Sequence, residues 1–278
     1  MSSLDVALPA PKPVRARPLG PLATLARRRF QLTVHTPREL FVPLLTPIMF
    51  ALVIAPALKS ALHTGSSYQS YVAIGTVGLL IPLNTMFSGL SVIVDRVSGA
   101  QRELLTAPVP RGLLVLGNLL VALAVTALQV GVLIVAALAR GIDFAATASG
   151  VLWFAGAAVL FTVGMYGVAE LLAGRVPRQE EYIARVPAIA ILPWFLAGSL
   201  FPISALPAFL TWIAKFLPLT HALAVMRYGL LQDTGGLHAI WGMHDAAAMA
   251  ALSVGVVGAF AALAGVAAVR VFSRTAVG

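Results

Sequence analysis

The sequence predicts an all-α integral membrane protein with six transmembrane helices. Of its 278 residues, 59% are hydrophobic and only 10% are charged, whereas soluble domains carry about 25% charged residues. The chain also contains six apolar runs, each long enough to cross a hydrocarbon core of about 30 Å as a helix. These runs are residues 40–58, 71–94, 112–139, 144–169, 186–214 and 246–269. Such a composition leaves little chain for a soluble domain and excludes a soluble globular fold.

The first 21 residues predict a disordered cytoplasmic tail ahead of a single membrane domain over residues 22–278. This stretch contains five prolines and has no apolar run of the kind that a secretory signal peptide needs. Its composition does not supply enough apolar surface for a packed core. We therefore expect no cleaved leader and no separate N-terminal domain.

Residues 22–35 predict an amphipathic helix at the membrane interface, with Pro21 suited to its first position. At 100° per residue one face is apolar and the opposite face is polar. The apolar side includes Phe30, and the flanking arginines can reach lipid phosphates while their stems lie along acyl chains. We expect Arg27, Arg28, Arg29 and Phe30 to form this interfacial helix. The alternative is a basic, solvated start to the domain.

The distribution of basic residues predicts that both termini lie in the cytoplasm. With six spans, fifteen of the nineteen lysines and arginines fall on the side of the termini. The other four are Lys59, Arg140, Lys215 and Arg227. The positive-inside rule then orients the chain, and anionic lipid, not nucleic acid, is the expected partner for its charge of +9. Sixteen arginines against three lysines suggest a GC-rich bacterial genome, hence a bacterial cell membrane.

Residues 95–111, between the second and third spans, predict a short helix that ends before Pro108. Val97, Ala100 and Leu104 form a narrow apolar stripe, and charges of both signs cover the rest. A helix of this kind can insert into a groove on a soluble motor and transmit its motion to the adjoining spans. We call residues 95–111 the coupling segment. The alternative is a solvated connector that rests on the lipid headgroups.

The fifth apolar run is interrupted by prolines, with another just beyond it, so one straight helix is not expected. We predict a span over residues 183–201, followed by short helices over residues 202–228 that re-enter the outer leaflet. Irregular backbone at membrane depth must be covered by protein or must line a wet cavity. This region is therefore a candidate for the outer end of a transport path. Its candidate residues are Gly198, Phe201, Pro202, Pro207, Pro218 and Arg227.

Two stretches resemble the type-2 permeases of ATP-binding-cassette transporters, in the branch of daunorubicin and antibiotic-resistance exporters. The coupling segment resembles the family's segment after the second span. The region before the last span is similar in the order and spacing of its motifs. The matching motifs are Asp95-Arg96, Gly99, Arg102, Leu104-Leu105, Ala107-Pro108-Val109 and Arg111, then Ala197-Gly198, Phe201-Pro202, Leu206-Pro207, Phe209-Leu210-Thr211-Trp212, Pro218-Leu219-Thr220 and Arg227. The chain departs from the family at Ala197, where a serine is more usual.

The resemblance implies a permease subunit of an ATP-driven exporter that moves an amphipathic drug, lipid or similar hydrophobic substrate out of the cell. It further implies a dimer of such subunits, identical or different, working with two copies of a separate ATPase. ATP and Mg would be bound by that ATPase. In this chain the resemblance assigns coupling to Arg96, Gly99, Arg102, Glu103, Leu104, Leu105 and Pro108.

The residues themselves also indicate a separate motor. A phosphate-binding P-loop requires Gly-Lys before Ser or Thr, and none of the three lysines, Lys12, Lys59 and Lys215, follows a glycine. No cofactor and no catalytic residue is expected in this chain. A membrane-embedded enzyme is another hypothesis, based on scattered serines such as Ser199. No histidine lies in the last span to act as its base. No metal site is expected either, because the histidine spacing is poor.

Glu170 lies at the cytoplasmic end of the fourth predicted span and is a candidate functional charge. Ionisable groups at such depth are candidates by default. Glu170 could pair with Arg175 or with an arginine of the N-terminal helix, which is the structural interpretation. It could also be the proton site of a proton-coupled secondary transporter, which is the alternative function. For Arg227 the sequence favours contacts with backbone carbonyls over substrate binding.

Overall fold

A computed structural model describes residues 19–35, 66–100 and 110–275, together with isolated positions at 45, 49, 53, 56, 57 and 106. Within these ranges the chain is helical and contains no strand, which confirms the all-α class. The helices are α1 (Leu19–His35), α2 (Ser66–Val97), α3 (Arg111–Ala139), α4 (Ala148–Arg175), α5 (Gln179–Leu196), α6 (Ala208–Phe216), α7 (Pro218–Leu231), α8 (Gly235–Trp241) and α9 (Ala246–Thr275), with a 3-10 turn at Ile203–Ala205.

Local sequence signals set several helix boundaries. The Thr147 hydroxyl accepts a hydrogen bond from the Gly150 amide at 3.0 Å and caps the N-terminus of α4. A carboxylate oxygen of Asp245 does the same for α9, accepting from the amides of Ala247 and Ala248. Pro218 begins α7 at a position where its missing amide costs no hydrogen bond. These caps fix where the chain enters the long apolar segments.

Four helices are long and apolar enough to cross a membrane: α2, α3, α4 and α9. The pair α6 and α7 is a further candidate, bent by 82° at Leu217, as in a broken span or a re-entrant loop. Helix α5 has 18 residues with three charges near its start, and it reaches about 27 Å at 1.5 Å per residue. The chain is therefore a multi-pass membrane protein, and the count of six spans stays a prediction.

Helix α4 lies at the centre of the bundle, packed against α2, α7 and α9. Glycines permit close crossings. A Cβ on Gly150 would lie 2.0 Å from the Gly229 carbonyl oxygen of α7, and one on Gly167 would lie 2.7 Å from the backbone of Ala264 in α9. The two helices therefore approach α4 backbone to backbone, at positions where a side chain would not fit.

The bundle has two chemically different ends. Helix ends near residues 97, 111, 175, 179 and 275 form what we call the arginine-rich end, because Arg96, Arg111, Arg175, Arg178, Arg270 and Arg274 lie there. The opposite, arginine-poor end is formed by the helix ends near residues 66, 139, 148, 196 and 246. Helix α1 packs on the start of α3, where a Cβ on Gly117 would lie 3.1 Å from that of Leu25.

Several predicted boundaries differ from the helices observed. Helix α1 begins at Leu19, inside the predicted tail, and residues 1–18 lie outside the described residues. Helix α2 continues to Val97, three residues past the predicted span, and α4 covers Ala148–Arg175 where 144–169 was expected. The predicted first span, residues 40–58, falls almost entirely outside the described residues, as do residues 101–105 and 107–109 of the coupling segment.

The fifth apolar run is divided into several helices, as its prolines predict. Helix α5 tolerates Pro187 and Pro193 but ends at Leu196, before the predicted limit of 201. The chain then turns at Gly198, whose φ of +79° lies in the left-handed region that favours glycine. The 3-10 turn, α6 and α7 follow, so short helices occupy residues 203–231. Their position relative to the outer leaflet stays a prediction.

Candidate functional site

The side chain of Arg227 is the centre of a buried cluster at the arginine-poor end. It lies on α7, is 3% exposed, and donates hydrogen bonds to the carbonyls of Gly198 (2.9 Å), Ser199 (3.0 Å) and Tyr71 (3.3 Å). Its guanidinium carbon lies 3.4 Å from the centre of the Tyr71 ring, as in a cation–π contact. We call these four residues the Arg227 cluster. It joins α2, α7 and the turn after α5.

Neighbouring contacts hold the turn after α5 against α2. The Tyr71 hydroxyl donates to the Gly198 carbonyl at 2.8 Å, and the Trp194 indole donates to the Gly75 carbonyl at 2.7 Å. Gly75 is needed because a Cβ there would lie 2.0 Å from the Ser199 carbonyl oxygen. The left-handed conformation of Gly198 ends α5 and presents the carbonyls that Arg227 binds.

An open cavity of about 440 Å³ adjoins this cluster, in the size range typical of small-molecule sites. Its lining combines aromatic, apolar and acidic side chains. The lining residues are Tyr68, Ser70, Tyr71, Asp143, Ala145, Pro202, Leu231 and Asp233. A cavity with this mixed lining suits an amphipathic molecule better than a purely apolar or a strongly anionic one.

At the arginine-rich end, Arg96 binds backbone carbonyls of another helix. One terminal nitrogen donates to the Ala173 carbonyl at 2.9 Å and the other to the Val176 carbonyl at 2.6 Å. Both acceptors belong to the last turn and C-cap of α4, where helix carbonyls have no intrahelical partner. The positive charge also complements the negative end of the helix dipole. Arg96 therefore connects the end of α2 to the end of α4.

Glu170 lies in a polar cluster within α4, near the arginine-rich end. It is 5% exposed and accepts a hydrogen bond from the hydroxyl of Tyr166, one turn earlier. The Asn118 side chain of α3 lies close to Tyr166, and Arg29 of α1 interacts electrostatically with both Tyr166 and Glu170. Arg29 follows Leu25 by four residues and so shares the α1 face that packs on α3. Glu170 thus interacts electrostatically with an arginine of the N-terminal helix, and its pairing with that helix stays a prediction.

Two amides inside the bundle differ in their surroundings. The Asn84 amide donates to the Ala122 carbonyl and the Thr126 hydroxyl, so it links α2 to α3. Both polar atoms of the Gln129 amide are buried, and neither has a hydrogen-bond partner among the described residues. The sequence left open whether these amides bond across helices or line a path. For Asn84 the structure shows interhelical bonds.

The candidates named from the sequence do not form one site. Arg27 and Phe30 are exposed on α1, whereas Arg28 and Arg29 are half-buried. In the region before the last span, Gly198 and Arg227 belong to one cluster, and Pro202 lines the cavity. Phe201 and Pro207 are exposed, and Pro218 is the first residue of α7. In the coupling segment, Arg96 and Gly99 are described, whereas Arg102, Glu103, Leu104, Leu105 and Pro108 lie outside the described residues.

Sequence reasoning missed the partners that complete these clusters. Tyr166 could have been found, because it precedes Glu170 by four residues and so lies on the same helix face. Tyr71, Gly75 and Trp194 gave no comparable signal, since their contacts join segments more than 100 residues apart. Among the described residues no group of acidic, histidine or cysteine side chains could hold a metal ion.

Comparison with known proteins identifies the family that this chain matches. Residues 21–231 match the family described as "ABC-2 type transporter". The chain is also 26% identical over 187 residues to a protein of Porphyra purpurea named as the transport permease ycf38. The protein of the same name from Pyropia yezoensis is similar to the same extent. Each alignment covers 67% of this chain and 64% of the relative, so the chain spans slightly less than two thirds of these curated proteins.

Proposed function

This chain belongs to the ABC-2 type transporter family, and from that premise we propose that it is the permease subunit of an exporter driven by a separate ATPase. Family membership makes it a membrane transport permease. The direction of transport, the cargo and the assembly belong to the proposal. The subunit would pair with a second permease, identical or different, and bind two copies of the ATPase, which would hold ATP and Mg.

The observation that carries the proposal is the end of α2. This helix runs through the bundle to Val97 and then turns at Ser98 and Gly99, where Gly99 has a φ of +82°. The coupling segment therefore begins at the arginine-rich end, directly attached to a long apolar helix. A motor that displaces the segment would act on α2 without an intervening flexible loop.

The charge distribution supports a cytoplasmic location for this end. Nearly all arginines of the described long helices lie there, and the positive-inside rule assigns such an end to the cytoplasm. The membrane would be a bacterial cell membrane, with both termini on the inner side. A soluble ATPase in the same compartment could then reach the coupling segment, and the arginines of α1 could meet anionic lipid.

The cavity at the opposite end supports an amphipathic cargo. Tyr68 and Leu231 supply apolar surface, and Asp143 and Asp233 supply charge. In the proposed orientation this cavity opens to the outside, where an exported molecule would leave. A drug, a lipid or a related hydrophobic substrate fits this chemistry, and export of an antibiotic would give resistance. The proton-coupled alternative depends on Glu170, which is buried, accepts a hydrogen bond from Tyr166 and interacts electrostatically with Arg29. A structural role for Glu170 accounts for these interactions equally well.

The proposal is tested by co-expressing the chain with the ATPase encoded nearest to it and measuring complex formation and ATP turnover. We expect a stable complex whose turnover depends on the permease. Replacing Leu104 by Asp or Arg102 by Glu would lower that turnover about tenfold or more, since loss of a small interface anchor costs about 1–2 kcal/mol. Membrane insertion would be unchanged.

Arg178→Glu is the matched control for this experiment. It reverses the same charge at the same end, on a side chain that is 76% exposed and makes only a surface ion pair with Glu181. Its turnover should stay near that of the wild type. Absence of a complex and of permease-dependent turnover would refute the proposed function, and normal turnover in both coupling variants would refute the assignment of the segment.

A further inference from the structure

We propose that Arg96 is a positioning residue that ties the start of the coupling segment to α4, so that a displacement of the segment moves α2 and α4 together. This inference rests on the proposed function. It changes the role of Arg96, which the family resemblance places among the residues that face the motor. The structure gives its guanidinium other partners.

The position of Arg96 suits a link of this kind. It lies in the last turn of α2, and its own carbonyl accepts from the Gly99 amide at 3.3 Å in the turn that follows. A Cβ on Gly99 would meet nothing within 4 Å, so glycine is required there by its φ of +82° alone. The Arg96 side chain thus binds the end of α4 directly before the chain changes direction.

The acceptors of Arg96 need a donor. Ala173 and Val176 are both 0% exposed, so water does not serve these carbonyls at the end of α4. A buried carbonyl without a partner is costly, and a guanidinium fork can serve two acceptors at once. One N–H of each terminal nitrogen is engaged by a carbonyl of its own chain, so the Arg96 guanidinium is held against the end of α4.

The Arg96 side chain contacts α4, the helix best placed to transmit a motion to the rest of the bundle. Helix α4 packs against α2, α7 and α9. Next to the Arg96 acceptors, a Cβ on Gly174 would lie 2.9 Å from the Val271 side chain of α9. At its other end, Gly150 touches Gly229 of α7, two residues from Arg227. A shift of the α4 terminus would therefore displace α2, α7 and α9, the three helices of the described bundle that pack against it.

The absence of cysteine in the chain allows a direct test. Spin labels are placed on Val94→Cys in α2 and Arg178→Cys after α4, at side chains that are exposed and not involved in the contact. Distances between the labels are measured by double electron–electron resonance in the full complex with its ATPase, without nucleotide and after trapping with ATP and vanadate. With Arg96 present we expect one narrow short distance in both states.

In Arg96→Gln that distance should broaden or shift on trapping, and nucleotide-stimulated ATP turnover should fall about tenfold, as expected from the loss of charge-assisted hydrogen bonds. Arg96→Lys keeps the charge without the fork and should fall between. Arg175→Gln, an exposed arginine at the end of α4, is the matched control and should behave as wild type.

The outcomes separate the link from its alternatives. A distance in Arg96→Gln that stays narrow and unchanged after trapping would overturn the proposal. So would loss of ATPase binding with the distance intact, because it would show that Arg96 contacts the motor. A purely structural role would lower thermal stability and protein yield without moving the distance in the folded fraction, and would also overturn it. If the wild-type chain binds no ATPase at all, the proposed function fails instead.

Discussion

A buried cation needs partners, and Arg227 finds them in backbone carbonyls. Among the described residues no carboxylate lies within ion-pair distance of it, and the ion pairs that are found, Arg178–Glu181 and Arg185–Glu181, lie at the surface. Carbonyls from two segments and the face of Tyr71 replace the water that the guanidinium has lost. The planar fork is what reaches these acceptors together, so lysine is a poor substitute.

This geometry predicts a graded loss of stability. Arg227→Met should lower the free energy of unfolding by about 3 kcal/mol, because it leaves buried carbonyls without donors. Arg227→Lys should cost about 1–2 kcal/mol, since one ammonium group cannot serve all three acceptors. Unfolding is followed by thermal denaturation of the purified protein in detergent. Arg140→Lys, at an exposed position of the same end, is the control and should melt like the wild type.

An Arg227→Lys variant as stable as the wild type would show that charge alone is required at this position. The sequence could nominate Arg227, because a cation beside proline-broken helices at membrane depth is unusual. It could not identify Tyr71, Gly198 and Ser199 as a set of acceptors. Those three residues come together only when α2, α5 and α7 are packed.

At the scale of the helices, glycine contacts decide which elements can approach. Gly75 lets α2 touch the turn after α5, and Gly150 lets α4 touch α7. Other glycines on the same helices, such as Gly156, have open space around a Cβ. Sequence alone does not separate the two kinds, because both occur in long apolar runs with the same composition.

We predict opposite effects for alanine at these two kinds of position. Gly75→Ala would place a Cβ 2.0 Å from the Ser199 carbonyl oxygen, so α2 must move away from the turn. We expect a cost of about 2–3 kcal/mol in unfolding free energy, as for overpacking in a core. Gly156→Ala meets no neighbour and should be neutral or gain up to about 1 kcal/mol from helix propensity. Equal melting temperatures of the two variants would contradict the close crossing.

The long helices were the easiest elements to predict, since length and apolar composition define them. Helices α2, α3, α4 and α9 overlap the predicted spans, with ends that differ by up to six residues. The observed ends of these helices depend on features other than the length of the apolar run. In α4, the Thr147 side chain caps the N-terminus, and the helix continues past the apolar run to include the charged residue Arg175. The prolines of the fifth run predicted interruption, but the end of α5 at Leu196 depends on the left-handed turn at Gly198.

For the whole molecule, the asymmetry of charge is the property that relates the fold to its environment. Arg96, Arg175 and Arg178 lie at one end of the bundle, and Asp143 and Asp233 line a cavity at the other. The two features on which the proposed function depends thus fall at opposite ends. A motor segment is useful only on the side that holds ATP, and an exit cavity only on the far side. The proposed transport direction therefore depends on the orientation of the chain.

That orientation can be measured with single cysteines, because the chain has none of its own. Ser98→Cys lies in the exposed turn after α2, and Ala146→Cys lies in the exposed loop before α4, at the other end of the bundle. If the arginine-rich end is cytoplasmic, as the positive-inside rule predicts, an impermeant maleimide added to intact cells should label position 146 and not position 98. Position 98 should react only after permeabilisation. The reverse pattern would place the coupling segment outside the cell, away from ATP, and would remove the basis for an ATP-driven exporter.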